Sequence, residues 1–264
     1  MGRLDGRIAL VTGGARGIGR GIAEVLAREG ADIAVGDLNL PGAEETAELV
    51  RGTGRRSLAV ELDVTNEGSA ADAVAAVVRE FGRLDILVNN AGVVGRHVGG
   101  GSIDLTDFDL CFEVNVKGIW IMSSAVVPHF KARGGGKIVN IASIAGRRGQ
   151  AGMAHYNASK AAAINLTQTM ACDLGPSNIN VNAVCPGLLW TDMWRALESM
   201  FGRDDTPEVV ERRRVFEAHI ARSCPLGREQ TPEDVGAAVA FFASDDAKNI
   251  TGQSLNVDGG IELN

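Results

Sequence analysis

The chain predicts a single-domain α/β protein: one doubly wound parallel sheet of about seven strands with helices on both faces. Three observations carry that expectation. Short β-branched apolar runs recur along the whole length, helix-length segments separate them, and glycine or proline marks the helix ends. The apolar runs lack in-and-out alternation, as strands covered on both faces require. In chain order, strands are expected at 8–12, 32–36, 57–62, 86–89, 137–141, 179–184 and 254–257. Helices are expected at 18–29, 43–51, 69–81, 108–132, 153–174 and 232–243. Gly30, Gly82 and Gly175 follow helical runs, and Thr231-Pro232 reads as an N-cap followed by proline at the first helical position. No linker or internal repeat divides residues 1–264, which read as one domain. Two stretches break the rhythm. Residues 93–103, with Gly99-Gly100-Gly101, read as a mobile loop, and 188–225, with Trp190 and Trp194, as a helical lid inserted after the sixth strand.

Composition narrows the function. A chain of 264 residues, 45% hydrophobic and 22% charged, has the balance of a folded domain, which excludes a disordered chain. Its 34 glycines show no Gly-X-Y period, which excludes collagen. Twenty-six basic against 33 acidic side chains leave a net charge of −7, and no dense basic stripe offsets it, so nucleic acid is not an expected partner. The longest basic run, Arg212-Arg213-Arg214, reads as a solvated helix face. Cys111, Cys172, Cys185 and Cys224 have no CxxC spacing and read as reduced core thiols of a cytoplasmic protein. There is no uninterrupted apolar window of about 18 residues, so no membrane partner is expected, and no metal site is read from the sequence.

The first strand runs into Gly13-Gly14-Ala15-Arg16-Gly17-Ile18-Gly19 and then a helix. Bare backbone at Gly13, Gly17 and Gly19 lets a pyrophosphate reach the amides of the helix N-terminus, where unpaired N–H groups and the dipole favour an anion. This places the phosphate contacts of a dinucleotide on Gly13, Arg16, Gly17, Ile18 and Gly19. Asp37 ends the second strand, placed to accept bonds from the adenosine ribose hydroxyls. A 2′-phosphate at about 5 Å from it would cost roughly 3 kcal/mol at an effective dielectric near 20, some two decades in favour of NAD. Arg16 pulls the other way, as a cation in the same turn. Asp63 and Val64, after the third strand, fall beside the adenine by the same geometry.

Tyr156, the single tyrosine of the chain, stands one helical turn before Lys160 on the same face. A free phenol, with a pKa near 10, is a poor base at neutral pH. A neighbouring ammonium, together with the positive ring of an oxidised nicotinamide, favours phenolate. Ser143 closes the fifth strand at the edge that faces the ligand crevice, and Asn115 is a side-chain amide inside the expected 108–132 helix.

Together these residues make the sequence resemble the short-chain dehydrogenase/reductase family, over nearly the whole chain. Thr12–Gly19 matches the TGxxxGxG motif and Asn89-Asn90-Ala91-Gly92 the NNAG motif; Asn115, Ser143 and Tyr156-x-x-x-Lys160 match the tetrad. Pro186-Gly187, followed by Leu189 and Thr191, resembles the segment that holds the nicotinamide carboxamide. The resemblance implies a Rossmann-type fold with Tyr156 as general acid/base and Ser143 orienting and polarising the substrate oxygen. Lys160 would lower the tyrosine pKa and hold the ribose, and Asn115 would anchor a water that relays the proton. It further implies that Asn90 lines the cofactor cleft, that the Asn89–Gly92 turn supports the sheet, and that the chain is a homotetramer with the 108–132 and 153–174 helices at an interface.

By the same resemblance, the substrate meets Val94, Arg96, His97, Ser143, Gln150, His155, Leu188, Trp190, Met193 and Trp194. Two indoles beside Gln150 suit a small polyol, diol or cyclic secondary alcohol. His97 and His155 read more simply as packing or surface residues. The reading is therefore an NAD-dependent oxidoreductase acting on an alcohol/ketone pair, and within the family the chain looks most like sorbitol and butanediol dehydrogenases. An NADPH-dependent 3-oxoacyl-carrier-protein reductase is the alternative, with Asp37 and the net charge against it. A non-catalytic cofactor-binding regulator is a second, and the intact tetrad opposes it.

Overall fold

The computed structural model describes residues 2–95, 104–191, 194 and 209–263. Seven strands, β1 (Ile8–Thr12), β2 (Asp32–Asp37), β3 (Ser57–Glu61), β4 (Ile86–Asn89), β5 (Gly136–Ile141), β6 (Ile179–Pro186) and β7 (Ser254–Val257), pair in parallel in the order β3-β2-β1-β4-β5-β6-β7. The order reverses between β1 and β4, and a ligand crevice opens at the carboxyl ends of strands at such a switch point. β1 and β4 are buried along their whole lengths, which accounts for their continuous apolar sequence.

Two apolar layers cover the sheet. On one face α1 (Gly17–Arg28) and α2 (Leu40–Gly52) pack with Ile22, Leu26 and Val50 inward, beside Val235, Val239 and Phe242 from α8 (Pro232–Ala243). On the other lie α3 (Glu67–Phe81), α5 (Gly118–Ala132) and α6 (Ala154–Leu174), with Val74, Val77, Met122, Val126, Phe130 and Ile164 inward. Local chemistry sets the ends of these helices. Asn66 accepts from the Ser69 amide to open α3, and Gly82, at φ +78°, closes it. Thr231 and Asp234 form a reciprocal capping box at the start of α8.

The expected 108–132 helix differs in two ways. It begins earlier, as α4 (Leu105–Phe112), because Asp104 accepts from the Thr106 amide and caps it. It is also interrupted: Glu113–Lys117 forms a π-helical turn before α5 begins. The whole run Leu105–Ala132 has the length and composition to cross a membrane, yet 44% of its most apolar window is buried within the protein. Of the expected lid, α7 (Val209–Ser223) is helical. Arg96, His97, Met193 and the remainder of the 93–103 loop and of the lid fall outside the described residues, except for the parts already given. Cys111, Cys185 and Cys224 are buried free thiols, and Cys172 is exposed rather than in the core.

Candidate active site

The glycine turn is shaped by what its glycines touch. Gly13 sits at φ +63°, and a Cβ there would lie 2.7 Å from the Cα of Ala91. A Cβ on Gly19 would lie 2.1 Å from the Gly13 carbonyl oxygen. Both positions need bare backbone because β1, α1 and the turn after β4 close on one another. Gly17, at φ +56°, is different: its outer side is open, with only the Thr191 methyl 4.0 Å away. The helix behind it has no side-chain cap, since Arg16 is extended and exposed and makes no capping bond. An uncapped helix N-terminus behind an unobstructed glycine fits a pyrophosphate.

The neighbouring residues hold this cradle. Asn90 donates its side-chain amide to the carbonyls of Thr12 and Gly13, both at 2.9 Å, so it braces the glycine turn as well as standing beside the cleft. Asp37 is half-buried at the end of β2; it accepts from the Ala15 amide at 3.0 Å and from the Asn39 amide at 2.9 Å. Its carboxylate is thereby fixed against the turn. Asp63 spends Oδ1 on the Thr65 amide and hydroxyl, at 2.9 and 2.7 Å, and the Val64 side chain is buried toward Gly118. Leu189 is buried, while Thr191 is half-buried and faces Gly17. Deeper in the sheet, Asn89 donates to Asn140 at 2.8 Å and Asn140 to Thr167 at 2.9 Å, tying β4, β5 and α6 together below the crevice.

The four tetrad residues meet on the other side of the switch point. Ser143 is extended at the end of β5, and its hydroxyl accepts from the Ala145 amide at 3.1 Å. That hydroxyl lies near enough to the Tyr156 phenol to work toward a lower phenol pKa. Lys160 donates from Nζ to the Ile141 carbonyl at 2.9 Å and lies 5.7 Å from the centre of the Tyr156 ring. Asn115 lies in the π-helical turn and grips one peptide: its Oδ1 accepts from the Val93 amide and its Nδ2 donates to the Val93 carbonyl, both at 2.8 Å. Nδ2 also donates to the Ser159 hydroxyl at 2.9 Å. π-Helical turns inside α-helices occur frequently at functional sites. The buried amide that the sequence leaves without partners finds them in Val93 and Ser159.

The electrostatics correct one expectation. Burial pushes the Tyr156 phenol up to about 12, with the Ser143 hydroxyl working against that rise, and it brings the Lys160 ammonium down to about 8. In the protein alone the phenol therefore stays above its ordinary value, with desolvation as the largest cause. The same dry pocket raises Cys111 to about 11, with the Asp107 carboxylate adding to burial.

Around the tetrad the expected substrate residues separate. Val94 packs with Ala145, Met153 and Tyr156 in one apolar cluster, and Gln150 is half-buried in the connection after Ser143. Trp194 is only 2% exposed and lies against Phe216 at 4.7 Å, inside a small core with Ile220 and Cys224. It anchors the lid helix, whereas Trp190 is half-buried on the edge of that core. Arg213 is no solvated basic residue either: it pairs with Glu229 at 2.6 Å and Glu217 at 2.8 Å and lies 5.4 Å from the Trp190 ring. His155 is buried, with Nε2 3.0 Å from the Val94 carbonyl. Among the described residues no His, Cys, Asp and Glu group is arranged to hold a metal. Sequence reasoning passed over Ser159 and Asn157; the i, i+3 spacing from Tyr156 hinted at the inward direction of Ser159, and nothing in the spacing pointed to Asn157.

The family model described as enoyl-(acyl carrier protein) reductase matches residues 13–262. The chain belongs to the short-chain dehydrogenase/reductase family. Two relatives are each 40% identical over 98% of this chain and 98% of their own: galactitol 2-dehydrogenase of Agrobacterium fabrum and sorbitol dehydrogenase of Cereibacter sphaeroides. Among solved structures, 7α-hydroxysteroid dehydrogenase complexed with NADH and 7-oxo glycochenodeoxycholic acid is 36% identical, with a TM-score of 0.86, covering 99% of this chain and 97% of its own. This short-chain dehydrogenase/reductase is an enzyme of alcohol/ketone oxidoreduction that uses a nicotinamide cofactor.

Proposed function

We propose that this short-chain dehydrogenase/reductase oxidises a secondary hydroxyl of a small polyol, diol or cyclic alcohol with NAD. The observation that carries the cofactor choice is Asp37, whose carboxylate is held against the phosphate turn by the Ala15 amide. A ribose 2′-hydroxyl donates to such a group, while a 2′-phosphate is repelled by it. Arg16, exposed on the same turn, does not displace that contact. The polyol reading is supported by the two relatives at 40% identity and by Gln150, half-buried in the loop after Ser143 whose peptide is held by Asn157 of the tyrosine helix.

When bound, the dinucleotide supplies the hydride acceptor. The chain supplies the rest. Gly17 and the uncapped start of α1 cradle the phosphates, and Thr191 closes over Gly17. Ser143 would hold the substrate oxygen beside Tyr156, whose phenolate accepts the alcohol proton and becomes the phenol as the hydride leaves the carbinol carbon. Lys160, charged below its pKa of about 8, favours the phenolate from one helical turn away. Asn115 keeps the segment carrying Val94 packed over the phenol. A homotetramer is part of the proposal: Phe108 and Trp120, 40% and 55% exposed, leave an apolar face on α4 and α5. A cytoplasmic location agrees with the free thiols.

The test is a panel of sorbitol, galactitol, 2,3-butanediol, 2-butanol, cyclohexanol and a 3-oxoacyl thioester, each run with both cofactors on the wild type and on Asp37→Ser. The expected result is NAD-linked oxidation of the alcohols, with the NAD-to-NADP ratio of kcat/KM falling by about 100-fold in the variant. An unchanged ratio contradicts the ribose contact. NADPH-linked turnover confined to the thioester contradicts the substrate reading.

A further inference from the structure

The residues on either side of the catalytic phenol point into the chain rather than away from it. His155 is 6% exposed, and its Nε2 meets the Val94 carbonyl at 3.0 Å. Asn157 is also 6% exposed, and its Nδ2 donates to the Gln150 carbonyl at 3.0 Å. Both bonds join the helix that carries Tyr156 to the loops that follow β4 and β5. Val94 belongs to the segment after β4 and Gln150 to the segment after β5, so one bond serves each loop.

The His155 side is tightly built. The preceding peptide, Val93, is gripped at both ends by Asn115, and the Val94 side chain packs on Tyr156. Gly95 follows at φ +92°, where a Cβ would lie 2.7 Å from His155 Nε2 and 3.2 Å from the Asp107 carboxyl carbon. The loop therefore passes His155 too closely for any side chain, and its path cannot shift without losing the Val94 bond. On the Asn157 side the geometry is simpler: one amide reaches from α6 to the Gln150 carbonyl, in a loop that also carries Gly149 and Gly152.

We propose that His155 and Asn157 are specificity-determining positioning residues. Each sets one wall of the alcohol pocket at a fixed distance from the Tyr156 hydroxyl: an apolar wall at Val94 and a polar wall at Gln150. The inference rests on the reading that these two loops face the substrate. A secondary carbinol has two substituents, and the arrangement sends the apolar one toward Val94 and the hydroxylated one toward Gln150. Neither residue touches the reacting atoms, so its loss changes where the alcohol sits before it changes how fast a seated alcohol reacts.

Three variants test this: His155→Gln, His155→Asn and Asn157→Ser. A glutamine amide reaches the place of Nε2 and an asparagine amide falls short, while both remain polar and compact. Binding of NADH, followed by fluorescence, shows whether each variant keeps its fold and its cofactor half. With the panel alcohol of highest kcat/KM, we expect His155→Asn to raise KM at least about tenfold with kcat within about threefold, and His155→Gln to stay within about threefold of wild type in both. Asn157→Ser is expected to raise KM for 2,3-butanediol by several-fold more than for 2-butanol. Equal effects of Gln and Asn, or a loss carried wholly in kcat, overturn the His155 assignment. Equal effects of Asn157→Ser on the diol and the mono-alcohol overturn the Asn157 assignment. If the panel turns over only simple alcohols, the polyol reading fails while the His155 comparison, read on those alcohols, still decides this proposal.

Discussion

The two halves of the crevice are built by different means. The cofactor half, from β1 to β3, is made by backbone closing on backbone: Gly13 against Ala91, Gly19 against Gly13, and an uncapped helix end behind Gly17. The tetrad half is made by side chains reaching out of α6 and the π-helical turn to hold loops by their peptides, as Asn115, His155 and Asn157 do. Where geometry rests on the absence of a side chain, any addition breaks it and binding is lost. Where it rests on single side-chain bonds, substitution retunes selectivity and leaves the fold in place.

The sharpest way to break this contrast is Gly19→Val. Its Cβ would fall 2.1 Å from the Gly13 carbonyl oxygen and 2.5 Å from the Asn90 amide nitrogen, so the turn must open. NADH affinity, measured by titration, is expected to fall at least about 100-fold, with a lower Tm, because several kcal/mol of overpacking has nowhere to relax. Retained affinity would show that the cradle is more compliant than its contacts imply.

A smaller effect sharpens the other side. Lys160 carries a charge into a dry site and donates to Ile141, and burial lowers its pKa from 10.5 to about 8. Between those values the unfolded chain binds a proton that the folded chain does not, so this group makes stability rise with pH there. At pH 7 the buried charge costs on the order of 3 kcal/mol, offset in part by the Ile141 bond. Lys160→Met is therefore expected to lose turnover yet melt within a few degrees of wild type or above it at pH 7, an advantage that shrinks above pH 8. A large drop in Tm at pH 7 would mean that the lysine is a structural tie and not a strained functional group.

Much of this was legible in the sequence because its signals are local. Continuous apolar strands, Gly13–Gly19 between a strand and a helix, and the Tyr156–Lys160 spacing each lie within a few residues. The parallel sheet of seven strands followed from the alternation of strands and helices, while its order came only from the fold. What was not legible depends on tertiary meeting. Asn115 read as an amide needing partners, and nothing near it in the chain named Val93 or the π-helical turn that aims it there. The two lid tryptophans read alike, and only the packing of Phe216 between them separates a buried anchor from a residue at the edge. The phenol was misjudged for a third reason: the expectation counted the lysine and the nicotinamide ring but not the cost of burial, which is the largest cause acting on the phenol in the protein alone.

The central claim is that the Tyr156 hydroxyl exchanges the proton, and replacing Tyr156 with Phe tests it most directly. Turnover and NADH affinity would be measured on the same preparation. The account predicts a loss of kcat of at least about 1,000-fold with NADH affinity within about threefold, since the ring stays packed and only the oxygen is gone. A variant that keeps kcat within about tenfold of wild type would contradict it.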